Sequence, residues 1–215
     1  MVGSVSFEVM RAALRHFAAG WVLLLIGLMP LAWLVWQTLY DQLGANPAEA
    51  LIRATGDWTL RGLCVVLAVT PLRTWLGWPE LVRFRRLLGL LVFFYASLHM
   101  LSYAWFDMGF DLADMLQDIV KRPFIWLGFS GFVILLALAA TSFNRAMRWL
   151  GGKRWQMLHR GVYLVAVLAV LHFWWMRAGK QDFDEVLVYA AILGVLLGWR
   201  LYRVLMKPRP PTRGV

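Results

Sequence analysis

Long apolar runs separated by short polar stretches make up most of the chain. Six of them approach the ~20 apolar residues that a helix needs to cross a bilayer: about 21–39, 58–72, 87–106, 124–143, 155–176 and 186–205. The second run is short, and Pro71 disfavours helix in the residue before it. Pro30 inside the first run predicts a kink, tolerable where neighbouring helices satisfy the carbonyl it frees. Connections are short, so the pattern predicts an all-α integral membrane protein. Its six helices would form one up-and-down bundle over residues 1–215, ending in a short basic tail at 206–215. No soluble domain and no clear sequence repeat is evident.

Composition agrees with the pattern. Hydrophobic residues make up 61% of the 215-residue chain and charged residues only 16%, against roughly 25% charged in soluble domains. Mean hydropathy is +0.63. A net charge of +10 would suit nucleic acid if the basic residues were clustered on one face. They instead sit between apolar runs, where they fix membrane topology, so the bilayer is the expected partner and nucleic acid is not. The one cysteine, Cys64, lies in an apolar run and reads as helix packing. Arg11 and Arg15 lead into the first run without a small-residue cleavage site, which predicts a retained first helix.

Placing the N-terminus, the loops around Arg83 and Lys153, and the C-terminal tail on one side collects 16 of the 22 Lys and Arg residues there. The other side holds ten of the twelve acidic residues. The positive-inside rule puts the basic side, with both termini, in the cytoplasm. Asp107, Asp111, Asp114 and Asp118 then face the periplasm as a solvated acidic loop, which is also a candidate docking surface.

Four histidines remain to be explained. His16 precedes the first span and needs only solvent. His99 lies eight residues before Asp107 and His172 five before Arg177, the residues that follow the third and fifth runs, so their depths differ by ~4.5 Å at 1.5 Å per residue. Ionisable groups in hydrocarbon are costly and face a partner or a function. Two imidazoles at matched depth on separate helices can reach one iron from opposite faces, as axial ligands of a heme. The competing explanation gives each ring a neighbouring carbonyl and nothing more. His159, 13 residues before His172, lies ~20 Å deeper and some 140° around an ideal helix. A second site there would need helix distortion or a ligand from elsewhere.

The third-run segment RRLLGLLVFFYASLHMLSYAWF, the fifth-run segment KRWQMLHRGVYLVAVLAVLHFWW and the TP-L-R ending of the second run resemble the MsrQ (YedZ) family. That family is the heme-binding membrane subunit of the MsrPQ methionine sulfoxide reductase system, within the ferric-reductase-like transmembrane domains that include NADPH oxidases and STEAP reductases. The resemblance covers nearly the whole chain. It implies a multi-pass protein of the bacterial inner membrane that carries electrons from quinol, with a cytoplasmic flavin reductase as a further donor. The recipient would be MsrP, a periplasmic molybdenum enzyme that reduces methionine sulfoxide, a reversible lesion. The sulfoxide chemistry would belong to that partner.

The resemblance implies heme b, at one site or two, and FMN. Carried over by position, His99 matches the outer ligand of the third helix, and His159 and His172 match both ligands of the fifth. The inner third-helix position falls near Arg85. Arg85, Arg86 and Arg154 are candidates for an inner heme propionate or an FMN phosphate, since guanidinium forks suit both. Topology and anionic lipid compete with that reading. Arg61, Arg122 and Arg177 are candidates for outer propionates. Many of the 13 Trp fall near span ends, where interfacial anchoring explains them.

Two other functions compete. A self-sufficient ferric reductase would need a dinucleotide fold with a glycine-rich turn, and no GxGxxG occurs, so a different soluble partner would have to serve it. A transporter or assembly scaffold without heme would place charged groups at mid-membrane, yet no Asp, Glu or Lys falls in the middle of a span.

Overall fold

The computed structural model describes residues 2–179 and 181–206. The tail predicted over 206–215 lies, Met206 apart, outside the described residues. Helix α1 (Val2–Arg15) precedes the first span, α2 (Ala18–Leu39). The second span, α3 (Pro47–Leu76), is followed by a 3-10 turn at Pro79–Phe84 that leads into α4 (Arg85–Ser102). A π-helical turn, Tyr103–Asp107, closes the third span. Then come α5 (Leu112–Lys121), α6 (Pro123–Ala140), α7 (Asn144–Leu150), α8 (Gly152–His159), α9 (Gly161–Ala178) and α10 (Asp184–Leu205). Six of these stretches are long and apolar enough to cross a membrane.

The second span differs most from the apolar window 58–72. It begins eleven residues earlier because Asn46 and Pro47 start a helix there. Asn46 Oδ1 accepts from Glu49 N–H, and Asn46 Nδ2 donates to the Glu49 carboxylate, a side-chain N-cap. Gly77, at φ 66°, ends the helix in the left-handed conformation that glycine adopts without strain. Glu49, Arg53 and Asp57 therefore lie on helix and not in a loop.

Both prolines sit inside continuous helices, and a neighbour mends each break. Pro30 disturbs the ladder of α2, and the Tyr95 hydroxyl of α4 enters there. It donates to Gly27 O at 2.8 Å and accepts from Leu31 N–H at 3.2 Å. Pro71 has no N–H for Leu67 O, four residues back. Arg200 of α10 donates to that carbonyl at 2.6 Å.

The core forms where α3 packs on α4 and α6 packs on α9. Leu63, Leu67, Val92, Val165, Ala166 and Leu193 are buried in one cluster, with Cys64 half-buried against it. Helix α2 lies outside this core, and Leu34 is its one buried residue among those described. Its exposed Trp21, Leu25, Met29 and Trp33 suit a lipid-facing surface, since apolar side chains at that density have no other solvent.

Each end of the bundle is tied by charge. At one end Arg11 pairs with Glu80 at 3.0 Å and Arg83 donates to Arg15 O at 2.6 Å, which holds α1 against the 3-10 turn. At the other, Arg177 pairs with Asp182 and Glu185, both at 2.7 Å. The acidic loop of the sequence reading is largely the helix α5. Asp111 caps it, accepting from Ala113 and Asp114 N–H, while Met115 and Ile119 turn inward.

Candidate functional site

His99 is carried by α4 and His172 by α9. Their ring centroids lie 6.1 Å apart with the ring planes at 78°. Each ring is held by a helix other than its own. His99 Nδ1 meets Ile52 O of α3 at 2.8 Å, and His172 Nδ1 meets Phe124 O of α6 at 2.6 Å. A carbonyl can only accept, so each Nδ1 carries the hydrogen and each Nε2 keeps its lone pair. The carbonyl partners foreseen as a competing explanation are thus present. They orient the rings and leave one nitrogen with a lone pair on each.

Both rings line a cavity of about 590 Å³, within the range of sites that hold cofactors. Its inner wall is apolar, with Leu60, Leu63, Phe132 and Leu135, and its mouth carries Arg53, Arg122 and Arg177. Arg53 pairs with Glu49 and Arg122 with Asp118 at 2.8 Å. Arg177 keeps a buried Nε without a partner.

The donor set narrows what can bind. Among the described residues no three His, Cys, Asp or Glu side chains gather around one point, so a bare ion with three or four protein ligands does not fit. Two imidazoles beside a large apolar cavity suit a group that brings its other ligands with it, as a porphyrin does. With centroids 6.1 Å apart, the two rings are close enough for both to hold one such group.

The other candidate residues lie elsewhere. Arg61 does not line the cavity: its Nε donates to Tyr189 Oη at 3.0 Å and its guanidinium covers Trp58. His159 ends α8, stacked on Trp155 at 4.0 Å between centroids, with Nε2 3.1 Å from Thr141 Oγ1. The fifth span is interrupted here by a turn at Arg160, between α8 and α9. Arg86 donates to Asn144 Oδ1 at 3.2 Å. Arg85 and Arg154 are exposed near the same end.

Two glycines escaped the sequence reading. Gly56 and Gly128 lie one helical turn beyond Ile52 and Phe124, directly against the rings. A Cβ on Gly56 would stand 3.1 Å from His99 Cε1, and one on Gly128 would stand 2.9 Å from His172 Cε1 and Nδ1. Each glycine weakens its helix by about 1 kcal/mol against alanine.

The two halves of the site also repeat. Ile52, Gly56 and His99 recur as Phe124, Gly128 and His172, at offsets of 72, 72 and 73 residues. Leu60, Leu63 and Ala96 of the wall recur as Phe132, Leu135 and Ala169 at the same offsets. The pair α3–α4 is thus echoed by α6–α9, as in parallel repeats about an axis along the membrane normal. Only Ile52/Phe124 and Leu60/Phe132 change identity among these pairs, but the matching positions are scattered over two helices in each copy, so no continuous segment repeats. The spacing of glycine to histidine, 43 residues in one copy and 44 in the other, was its legible trace.

A six-span bundle with paired histidines on its third and fifth spans belongs with the ferric reductase like transmembrane components, whose family model matches residues 55–170. Within that class, the chain belongs to the MsrQ family. It is 61% identical over 196 residues to the protein-methionine-sulfoxide reductase heme-binding subunit MsrQ of Polaromonas naphthalenivorans (strain CJ2), covering 91% of this chain and 90% of that one. The subunit of the same name from Herminiimonas arsenicoxydans is 54% identical over 181 residues, 84% and 83% of the two chains. That of Xanthomonas euvesicatoria pv. vesicatoria (strain 85-10) is 44% identical over 181 residues, 84% and 82%. No solved structure matches.

Proposed function

We propose that this chain is the electron-carrying membrane subunit of a methionine sulfoxide reductase system, holding heme b between His99 and His172. The observation that carries the reading is the 6.1 Å approach of two imidazoles, each with Nδ1 occupied and Nε2 left for iron. Bound there, heme would supply one-electron chemistry. The chain's own residues do the rest. Ile52 O and Phe124 O hold the Nδ1 protons, which fixes each tautomer and raises the basicity of the ligating nitrogen. Leu60, Leu63, Phe132 and Leu135 keep water from the inner wall. Arg177, with Arg53 and Arg122, offers cations at the mouth, where a carboxylate-bearing edge would be neutralised.

Electrons would come from quinol, with a cytoplasmic flavin reductase as a second source, and leave to the molybdenum enzyme MsrP on the periplasmic side of the inner membrane. Sulfoxide reduction belongs to that partner, so this subunit is not itself the sulfoxide-reducing enzyme. The names of the relatives support heme and the reductase system, and the charge asymmetry supports cytoplasmic termini. The reading has one heme. A second would have to use His159, whose Nε2 already meets Thr141. FMN would draw on Arg85, Arg86 and Arg154.

The test is heme per protein, with the reduced-minus-oxidised spectrum, in purified wild type and in His99→Ala and His172→Ala variants. A low-spin b-type spectrum lost in both variants is expected. A colourless wild type, or unchanged heme in both variants, would refute the assignment and leave a scaffold or transporter.

A further inference from the structure

We infer that Gly56 and Gly128 are positioning residues for heme ligation: each is a bare seat that lets an imidazole lie against the helix whose carbonyl orients it. The inference rests on the heme reading above and adds residues to it that no ligand search would choose, since glycine offers no donor.

Two features of each half-site converge. The orienting carbonyl belongs to the residue four positions before the glycine, so carbonyl and seat sit on one face of one helix, a turn apart. For Nδ1 to reach that carbonyl at 2.8 Å or 2.6 Å, the ring must cross the surface of the next turn. A Cβ there would meet ring atoms of His99 at 3.1 and 3.2 Å, and of His172 at 2.9 Å twice. The methyl group is bonded to backbone and cannot retreat, so the ring must. Either the Nδ1 hydrogen bond lengthens or Nε2 swings off the iron axis. Close contacts at glycine also arise from plain helix packing, as at Gly62, where a Cβ would meet Val92 Cγ2 at 3.0 Å; what marks Gly56 and Gly128 is that the first atoms met are ring atoms of the two histidines, in both copies of the repeat. Gly131, on the same helix as Gly128, would meet only Leu168 Cβ at 3.9 Å.

The closer contact at Gly128 predicts an order. Gly128→Ala should perturb ligation more than Gly56→Ala, and Gly194→Ala, where nothing lies within 4 Å, should leave it as in wild type. The measurements are made on the full chain purified from membranes: heme content, the low-spin electron paramagnetic resonance signal, the midpoint potential and carbon monoxide binding to the reduced protein. Heme held by two histidines has no open position for carbon monoxide, and heme that has lost one does. Gly128→Ala is expected to become carbon monoxide-reactive and to retain heme about tenfold less tightly, the lower end of what loss of a ligand's orienting partner produces. Gly56→Ala, with the milder contact, serves if Gly128→Ala does not accumulate, and should shift the potential and the resonance signal. If both variants match Gly194→Ala in carbon monoxide reactivity, resonance signal and potential while His172→Ala still loses heme, the glycine assignment falls and the heme reading stands. If wild type holds no heme, the heme reading itself falls.

Discussion

With the cavity on the outer side, as proposed above, the outer and inner halves of the bundle each place histidine on the fifth span, but under different conditions. In the outer half, His172 faces His99 across 6.1 Å, and each ring has its own carbonyl, its own glycine and a share of one cavity. In the inner half, His159 stacks on Trp155 and meets Thr141 through Nε2. No second histidine is paired with it among the described residues. Position on the fifth span does not by itself give a histidine this setting. What distinguishes the outer pair is that each ring is held through Nδ1 by a carbonyl of another helix, which leaves Nε2 with its lone pair.

The sharpest break in this comparison would come from exchanging the halves' sensitivities. His172→Ala should remove nearly all bound heme, while His159→Ala should leave most of it, as read from the heme-to-protein ratio. Comparable losses would mean that the inner half also holds heme. Arg200→Leu should destabilise the protein by about 1–3 kcal/mol, the cost of leaving Leu67 O buried without a donor. Chemical unfolding in detergent checks this, with heme content expected to stay near wild type in the folded fraction. Tyr95→Phe removes two hydrogen bonds at the Pro30 break and should cost about 1–2 kcal/mol by the same measurement. Thr141→Val should have the smallest effect, about 0.5–1.5 kcal/mol, with the outer spectrum unmoved. A shifted spectrum in that variant would couple the two halves.

Much of this was legible in the sequence, for identifiable reasons. The six spans follow from apolar run length, and the depths of His99 and His172 follow from a constant rise per residue. The early start of α3 was missed because an apolar window discards Glu49, Arg53 and Asp57, although Asn46, Pro47 and Glu49 spell a helix start. Helix α5 was missed for a related reason. Its four neighbouring aspartates suggest a solvated loop, while Met115 and Ile119, four apart, mark the buried face of a helix. The glycine seats were beyond the reach of any single span. Gly56 and Gly128 acquire meaning only against His99 and His172, and it takes two helices to bring them together.

The mended prolines have a consequence for biogenesis. The break in α2 is closed by Tyr95, 64 residues later in the chain than Leu31, and Leu67 O is met by Arg200, 133 residues later. At ~5–20 residues per second of synthesis, Leu67 would emerge roughly 7–27 s before the side chain that completes its helix. Until then the nascent spans must find water, the insertion machinery or lipid headgroups for those groups. Truncation before Arg200 would therefore leave a defect in a helix translated long before the stop.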